Sequence, residues 1–288
     1  MGSAMARNLL SAGLSVTVHD IDSAKVEAIV RAGGKKVGSP DHIPPQVDVI
    51  ILSLPGSQAV KQAIHESLRL FETGRKGLIV LDTSTIDSDV SAELVAQLAQ
   101  KGIDMLDAPV SGTPDMCTAK DNIFMVGGKR EVFEQCEPLF AAMSRDWIYM
   151  GGNGSGLVIK LVVNLVLALN RMALAEGLTL AAKAGLDQRQ TLEILKKSAA
   201  YSKAMDQKGD RMVRRQFLPP IARLAITYKD LRLMLALGAR LDCPLPLTSL
   251  NAQALASEIC KGRGERDSSD IISFYDDLAN VRIERKDA

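Results

Sequence analysis

The chain contains two kinds of hydrophobic pattern, one of alternating strands and helices and one of helices alone. The position at which the first gives way to the second constrains the fold more than any other feature. Up to about residue 150, short apolar runs alternate with helical patterns such as those at 88–102 and 129–143. The apolar runs span residues 47–55, 77–85, 103–112 and 122–128, and a further strand pattern at 15–22 alternates apolar and polar residues. Nearly continuous apolar strands separated by helices are typical of an α/β fold with a doubly wound, mostly parallel sheet. We therefore predict such a sheet domain over residues 1–152.

The second half of the chain contains only helical patterns. One long pattern runs from residue 153 to about 185, and shorter patterns follow at 187–199, 203–215, 219–239, 247–261 and 268–279. The spacing predicts an all-helical domain over residues 153–288, joined to the sheet domain through the long helix. The glycine-rich segment "GGNGSG" (151–156) is the expected hinge.

Composition excludes several classes of function. The net charge is +1, which gives no support to nucleic-acid binding. The apolar stretch at 156–185 contains Lys160, Arg171 and Glu176, so we expect a buried helix and no membrane partner. The four cysteines are scattered without a CxxC pair, which indicates reduced thiols in a cytoplasmic protein and no metal site.

The first 22 residues combine a helix that starts at a glycine with a strand that ends in an acid. Gly2 opens a helical pattern, and "SVTVHDID" (15–22) places Asp20 at the end of a strand. In a Rossmann-type βαβ unit, glycines let a pyrophosphate approach the helix N-terminus, and an acid about 20 residues later binds the ribose 2′-hydroxyl. Gly2 and Asp20 are therefore candidate cofactor-binding residues. An acid here favours NAD over NADP, because it repels a 2′-phosphate; an ordinary βα turn with a capping aspartate is the alternative.

A hydride-transfer enzyme also needs a group that takes or gives the hydroxyl proton. The three histidines, at positions 19, 42 and 65, all lie in the first half, which argues against a histidine-based plan. Lys160 is a better candidate, since it interrupts an apolar run and burial lowers the pKa of a lysine toward the working range. Asn164 follows one turn later on the same helix face. The alternative is a lysine that extends along a partly exposed helix to reach water.

Seven segments, taken in order, resemble the β-hydroxyacid dehydrogenases, the 3-hydroxyisobutyrate dehydrogenase-like family. The segments are "MGSAMARNLLSAG", "DVIILSLPGSQAV", "LDTSTID", "LDAPVSG", "FMVGG", "GNGSGLVIKLVVN" and "YKDLRLMLALGA". The match extends from Met1 to about Pro246. It implies NAD-dependent oxidation of a small β-hydroxyacid, in a protein that forms a homodimer or homotetramer.

The resemblance assigns roles to the reacting side of the site. Lys160 is similar to the family's general acid/base, and Asn164 to the asparagine that orients substrate beside it. Ser111 and Gly112 resemble the loop that holds the substrate carboxylate through backbone N–H groups and a hydroxyl, and we extend this loop to Thr113. This arrangement is chemically consistent, because N–H donors and a lysine suit an anionic acid.

The resemblance also assigns roles on the cofactor side. Leu54 and Pro55 resemble the loop that packs along the cofactor, and Thr85 resembles a residue near the nicotinamide. Lys229 is similar to a lysine that closes over the cofactor from the helical domain. Together with Gly2 and Asp20, these residues form the predicted NAD site.

The chain departs from the family pattern in two important places. Family members begin with a strand and G-x-G-x-M-G, whereas this chain starts at the last glycine. We expect that Met1 is an internal position of a longer reading frame; a truncated protein is the alternative. In the substrate loop, Thr113 replaces a second glycine and is followed by Pro114 and Asp115. A Cβ at position 113 restricts the backbone and crowds the carboxylate pocket. The substrate is therefore expected to differ from the commonest one of the family.

These departures leave a second hypothesis open, namely a catalytically impaired member that acts as an oligomeric scaffold or ligand-binding module. The retained Lys160, Asn164, Thr85 and Lys229 argue against it. A related NADPH-dependent aldehyde or imine reductase is a third possibility, and Asp20 and Lys160 argue against that one.

Overall fold

The computed structural model describes residues 1–282 and divides into two compact units, Met1–Lys160 and Leu161–Ala288. The first unit is α/β and the second is helical, which confirms the predicted fold class. Residues 283–288, at the end of the predicted helical domain, lie outside the described part of the chain.

The first unit holds the strands. They are β1 Thr17–Val18, β2 Lys35–Lys36, β3 Val49–Leu52, β4 Ile79–Asp82, β5 Asp104–Asp107, β6 Val110–Ser111, β7 Ile123–Gly127 and β8 Asp146–Gly151. In the six-stranded sheet β3, β4 and β5 run parallel, β7 is antiparallel to β5 and β6, and β8 is parallel to β7. Parallel strands β1 and β2 form a separate sheet, and no ladder joins it to β3 among residues 1–282.

Apolar burial explains why the central strands form where they do. All four residues of β4 are buried, as expected for a strand that is covered on both faces. One face contributes Leu81 to a cluster with Phe124 and Phe140, and the other contributes Val80 to a cluster with Leu94 and Leu98. The sheet is therefore packed on both sides, as the doubly wound pattern predicted.

The helices of the first unit are α1 Gly2–Ser11, α2 Ser23–Val30, α3 Ser57–Gln62, α4 Leu70–Thr73, α5 Ser88–Ala99, α6 Pro114–Thr118 and α7 Arg130–Met143. Their start points follow ordinary capping chemistry. Asp87 begins α5 by accepting a 2.8 Å hydrogen bond from the Asp89 N–H. Thr113 begins α6 in the same way, and Pro114 occupies the first turn, where its missing N–H leaves no donor unsatisfied.

Helix α8, Ser155–Lys183, begins in the first unit and continues in the second. The second unit also contains α9 Gln188–Lys197, α10 Asp210–Arg214, α11 Leu224–Arg240, α12 Pro246–Cys260 and α13 Ile271–Ala279. Its core is apolar, with Leu178, Leu231 and Ile272 fully buried. Ion pairs such as Lys208 with Asp267 (2.8 Å) and Arg215 with Asp276 (2.8 Å) are buried beside that core.

Helix α8 has the length and mean hydropathy, 1.9, that would also allow it to cross a membrane. It carries buried Lys160 and buried Arg171, and the Arg171 guanidinium donates a 3.0 Å hydrogen bond to Ser268 Oγ. Burial lowers the pKa of Arg171 to about 10. These charged groups have polar partners or close packing within a protein interior, which is how a core helix accommodates them.

Candidate functional site

Three parallel strands end side by side at one edge of the sheet. In register, Leu52 of β3 lies beside Asp82 of β4, and Asp82 lies beside Asp107 of β5. In open α/β sheets, ligands bind outside the carboxyl ends of the strands. The segments that hold Leu54, Pro55 and Thr85 leave the sheet at this edge, immediately after β3 and β4.

Hydrogen bonds connect the segment that follows β3 with the segment that follows β4. The Leu54 N–H donates to Ser84 Oγ across 2.9 Å, and the Ser84 N–H donates to Asp82 Oδ1 across 2.9 Å. Thr83 Oγ1 also donates to the Leu52 carbonyl across 2.7 Å. The loop with Leu54 is therefore held in place through Ser84, a residue that the sequence did not single out.

Asp82 is a buried acid with incomplete hydrogen bonding. Its side chain is 1% exposed, and no hydrogen bond reaches Oδ2. Burial raises the pKa of Asp82 to about 6, and the nearby Asp107 carboxylate also raises it, although the hydrogen bonds from Ser84 oppose the shift. Strongly perturbed acids are enriched at functional sites, so Asp82 supports the assignment of a site at this edge.

The start of α1 has the properties of a phosphate-binding helix terminus. Met1 at the N-cap makes no side-chain capping bond, and the first turn contains no acidic residue. A Cβ on Gly2 would lie 3.4 Å from Ser53 Cβ, so a larger residue would narrow the space between the helix and the end of β3. The residues present therefore suit the pyrophosphate of a dinucleotide.

Asp20 lies just after β1, which is shorter than the predicted strand. Its side chain is 41% exposed, Oδ1 accepts a 2.9 Å hydrogen bond from the Asp22 N–H, and Lys25 Nζ is 3.9 Å away. An exposed carboxylate at this place is available to a ribose hydroxyl.

The predicted substrate loop lies at β6 and the start of α6. Ser111 pairs with Ile123 of β7, and Thr113 Oγ1 accepts a 3.2 Å hydrogen bond from the Met116 N–H. Gly112 has a φ of +156°, and a Cβ there would lie 3.0 Å from Asn122 Cβ. A side chain at position 112 would therefore meet Asn122 in tight contact, whereas Thr113 serves as the N-cap of α6.

Lys160 and Asn164 both lie on α8, one turn apart. The Lys160 side chain is buried, at 9% exposure, as the apolar run around it predicted. In the second unit, Asn164 Nδ2 donates to Asp230 Oδ2 across 2.9 Å, and Lys229 Nζ lies 3.1 Å from Asp230 Oδ1. Asp230 thus connects two residues that the sequence predicted separately, and sequence reasoning missed it.

In the first unit, histidines and cysteines take part in ring stacking, face solvent or are buried. The His65 ring stacks on Phe71 with the ring centroids 4.9 Å apart, and His19 is exposed. Within residues 1–282, no group of three or more histidine, cysteine, aspartate or glutamate side chains is placed to hold a metal ion. Cys117 and Cys136 are buried and unpaired, and burial raises the pKa of both thiols.

Two models of known protein families match the chain. Residues 1–152 match the sequence model for the NAD binding domain of 6-phosphogluconate dehydrogenase. Residues 154–275 match the model for the NAD-binding domain of NADP-dependent 3-hydroxyisobutyrate dehydrogenase. The fold and these matches define an NAD(P)-binding oxidoreductase that acts on CH–OH groups.

Individual relatives narrow this class. The chain is 30% identical to 2-(hydroxymethyl)glutarate dehydrogenase of Eubacterium barkeri, over 98% of this chain and 94% of that protein. It superposes on the crystal structure of 3-hydroxyisobutyrate dehydrogenase from Salmonella typhimurium with a TM-score of 0.87 and 26% identity, covering 94% and 95% of the two chains. The chain belongs to the 3-hydroxyisobutyrate dehydrogenase-like family of β-hydroxyacid dehydrogenases, which confirms the resemblance seen in the sequence.

A relative of a different kind shares the same region. The human cytokine-like nuclear factor N-PAC is 30% identical over 94% of this chain, which spans 48% of that longer protein.

Proposed function

We propose that this protein oxidises a small, 3-hydroxyisobutyrate-like β-hydroxyacid with NAD, and that Lys160 is the general acid/base. The observation that carries the proposal is a lysine at 9% exposure, one helical turn before an asparagine whose amide is held by a carboxylate. A lysine amine beside a substrate hydroxyl can exchange a proton with it.

Each residue has a defined part in the reaction. Lys160, as the neutral amine, takes the proton from the substrate hydroxyl, and in the reverse direction its ammonium returns it. Asn164 would orient the same hydroxyl through its amide oxygen, since its Nδ2 donates to Asp230. The bound nicotinamide supplies the hydride acceptor. The products are then the aldehyde or oxo acid, NADH and one proton.

Ser111, Gly112 and Thr113 would hold the substrate carboxylate. Backbone N–H groups at a turn between a strand and a helix are suitable donors to an anion. Thr113 Oγ1 accepts the capping bond from Met116, but its O–H remains able to donate. The Thr113 side chain takes up space beside the proposed carboxylate position. This supports a substrate that leaves room for it at the carboxylate end.

On the cofactor side, α1 with Gly2 would bind the pyrophosphate, and Leu54, Pro55, Thr85 and Lys229 would line the remainder of the dinucleotide. We propose NAD rather than NADP. Asp20 lies just after β1 and accepts a hydrogen bond from the Asp22 N–H, so a 2′-phosphate would lie near two carboxylates. The Lys25 ammonium, 3.9 Å from Asp20 and 3.4 Å from Asp22, reduces this repulsion but does not remove the excess negative charge. Asp20→Ser is expected to bring the kcat/KM for NADP closer to that for NAD.

We also propose a homodimer or homotetramer in the cytoplasm. Along α8 the side chains of Val162, Val166 and Leu180 are 47%, 51% and 71% exposed, at positions that recur along one side of the helix. Apolar surface of this kind favours contact with a second copy of the chain. Sedimentation at several protein concentrations measures the oligomeric state directly.

The second candidate is a catalytically impaired scaffold or ligand-binding module. It is supported by Thr113 and Asp115 in the substrate loop and by the similarity to N-PAC, whose name describes a nuclear factor. It predicts a folded chain that does not turn over hydroxyacids.

One assay separates the two candidates. Purified protein is incubated with NAD and, in turn, racemic 3-hydroxyisobutyrate and 2-(hydroxymethyl)glutarate, and nicotinamide reduction is followed by absorbance. Turnover of either acid that falls about 10²–10⁴-fold in Lys160→Ala supports the dehydrogenase. A folded protein that binds NADH but reduces no NAD with either acid, or a Lys160→Ala variant with the wild-type rate, contradicts the proposal.

A further inference from the structure

Asp107 is a buried carboxylate that contacts the start of the helix on which Lys160 lies. It ends β5 and is 1% exposed. Its Oδ1 accepts a 2.7 Å hydrogen bond from the Gly154 N–H, and its Oδ2 accepts a 3.0 Å bond from the Leu157 N–H. The first N–H groups of a helix lack partners within the helix, and Leu157 is one of them in α8. The Asp107 carboxylate therefore satisfies this buried donor together with the Gly154 N–H just before the helix.

Close backbone packing fixes the same contact. A Cβ on Gly156 would lie 2.7 Å from the Asp107 carbonyl oxygen and 2.9 Å from Oδ2. A Cβ on Gly127 of β7 would lie 2.7 and 2.8 Å from the two carboxylate oxygens. Only glycine at these positions lets the sheet and the first turn of α8 approach so closely.

A second anchor lies immediately before the helix. Asn153 Nδ2 donates a 2.7 Å hydrogen bond to the Met105 carbonyl of β5. The same strand therefore holds the segment that enters α8 at Asn153 and the first turn itself at Asp107.

Lys160 lies within one turn of this contact. It is three residues after Leu157, which corresponds to about 4.5 Å along the helix axis at 1.5 Å per residue. A helix is rigid over one turn, so the position of the Lys160 backbone is set by the hydrogen bonds that Asp107 accepts. A displacement of about 1 Å at a reacting group can lower a rate about 100-fold.

We propose that Asp107 is a positioning residue for the reaction, because it holds the first turn of α8 against the end of β5 and so fixes where the Lys160 amine lies. This inference depends on the proposed function of Lys160. In this role Asp107 does not touch the substrate; its effect on the rate passes entirely through Lys160.

A double-mutant cycle tests this dependence. Asp107→Asn keeps one acceptor oxygen but presents an NH₂ group to the second backbone donor. We expect kcat with 3-hydroxyisobutyrate and NAD to fall about tenfold or more, with the Kd for NADH within about twofold of wild type. In the Lys160→Ala background the same substitution should leave kcat unchanged, because the positioned group is gone.

The cycle also gives results that would overturn the inference. A wild-type kcat in Asp107→Asn would do so, and so would an equal fold-loss in both backgrounds, which is what simple destabilisation produces. If Lys160→Ala itself retains the wild-type kcat, the proposed function fails and this inference fails with it. If kcat falls in Lys160→Ala but stays at the wild-type value in Asp107→Asn, only the inference fails.

Two further variants control for folding. Asp187→Asn changes an equivalent cap, since Asp187 Oδ1 accepts a 2.7 Å hydrogen bond from the Gln190 N–H at the start of α9, a helix without predicted site residues. It should keep kcat within about twofold. If Asp107→Asn does not fold, the milder Asn153→Ala replaces it, and a loss of kcat only in the presence of Lys160 is again the supporting result.

Discussion

The side-chain amide of Asn164 donates a 2.9 Å hydrogen bond to Asp230, and this bond joins α8 to α11 across 66 positions of sequence. An asparagine amide can present either its oxygen or its nitrogen, and here the carboxylate decides between them. Asp230 in turn lies 3.1 Å from the Lys229 ammonium. The orientation of a predicted substrate-binding amide therefore depends on a residue that contacts a predicted cofactor-binding lysine.

Removing the Asp230 carboxylate should lower catalytic activity more than it lowers the stability of the fold. In Asp230→Ala the Asn164 amide can rotate, so we expect kcat/KM for the hydroxyacid to fall about 10–100-fold. Asp230→Asn should lose less, because its oxygen can still accept from Asn164. Steady-state kinetics of the two variants, beside Asp210→Asn as an exposed control in the same unit, measure the effect. Equal rates in Asp230→Ala and wild type would contradict it.

The pKa of Asp82 predicts a pH dependence of stability. This pKa is raised to about 6 in the folded protein, from an ordinary value of 3.8, so the folded state holds a proton more tightly than the unfolded state. Stability from this group is consequently present below about pH 4 and is lost as pH rises through about 6. Asparagine does not ionise, so Asp82→Asn does not lose stability in this way. Its free energy of unfolding relative to wild type should therefore rise by about 2–3 kcal/mol between pH 4 and pH 7.

Urea unfolding of Asp82→Asn and wild type at several pH values provides the measurement. Thr83→Val is the control, since it removes the neighbouring hydrogen bond to the Leu52 carbonyl without changing a charge. Its effect on the free energy of unfolding should not vary with pH. A constant difference between Asp82→Asn and wild type over the same range would show that Asp82 ionises normally.

The protein should be less stable with Asn122 than with an apolar residue at the same position. It is fully buried, and neither Nδ2 nor Oδ1 has a hydrogen-bond partner. A buried polar group without a partner costs about 1–3 kcal/mol, so Asn122→Leu is expected to raise the free energy of unfolding by a similar amount. Denaturant unfolding at constant pH measures this change.

Asn8→Leu is the matched control for that substitution. Asn8 is equally an asparagine in the interior, but its Nδ2 donates a 2.7 Å hydrogen bond to the Cys117 carbonyl. Replacing it removes this bond and leaves the Cys117 carbonyl with only the 3.2 Å bond from the Lys120 N–H, so the same substitution should lower the free energy of unfolding by about 1–3 kcal/mol. Changes of the same sign in both variants would refute the argument.

Lys120 adopts a backbone conformation that suits glycine. Its φ is +57°, after the end of α6. This left-handed conformation costs a residue with a Cβ about 1–2 kcal/mol, whereas glycine loses about 0.4–1 kcal/mol of stability through its freer unfolded chain. Lys120→Gly should therefore raise the melting temperature slightly. Lys101→Gly, at a lysine without positive φ, should lower it; a lower melting temperature in both would contradict the prediction.

Local pattern identified most of the strands but not their lengths. The buried apolar runs at 47–55, 77–85 and 122–128 contain β3, β4 and β7, yet each strand is shorter than its run. The run at 103–112 divides into β5 and β6, because Ala108 and Pro109 interrupt it. Strand β2, which is two lysines, carries no apolar run and was missed. Strand β8 was also missed, although residues 147–150 form an apolar and aromatic run, in which exposed and half-buried side chains alternate.

The sequence by itself determined the fold class, the position at which strands give way to helices, and the candidate residues Lys160 and Asn164. Apolar periodicity and one polar interruption in an apolar helix are local properties, and they can be recognised along a single chain. Only the tertiary structure decided which carboxylates act on these residues. Asp107 reaches the start of α8 from 50 positions away, and Asp230 reaches Asn164 from 66. An aspartate in a strand or a helix carries no local sign of its partner, because the hydrogen bond exists only when packing brings the two segments together.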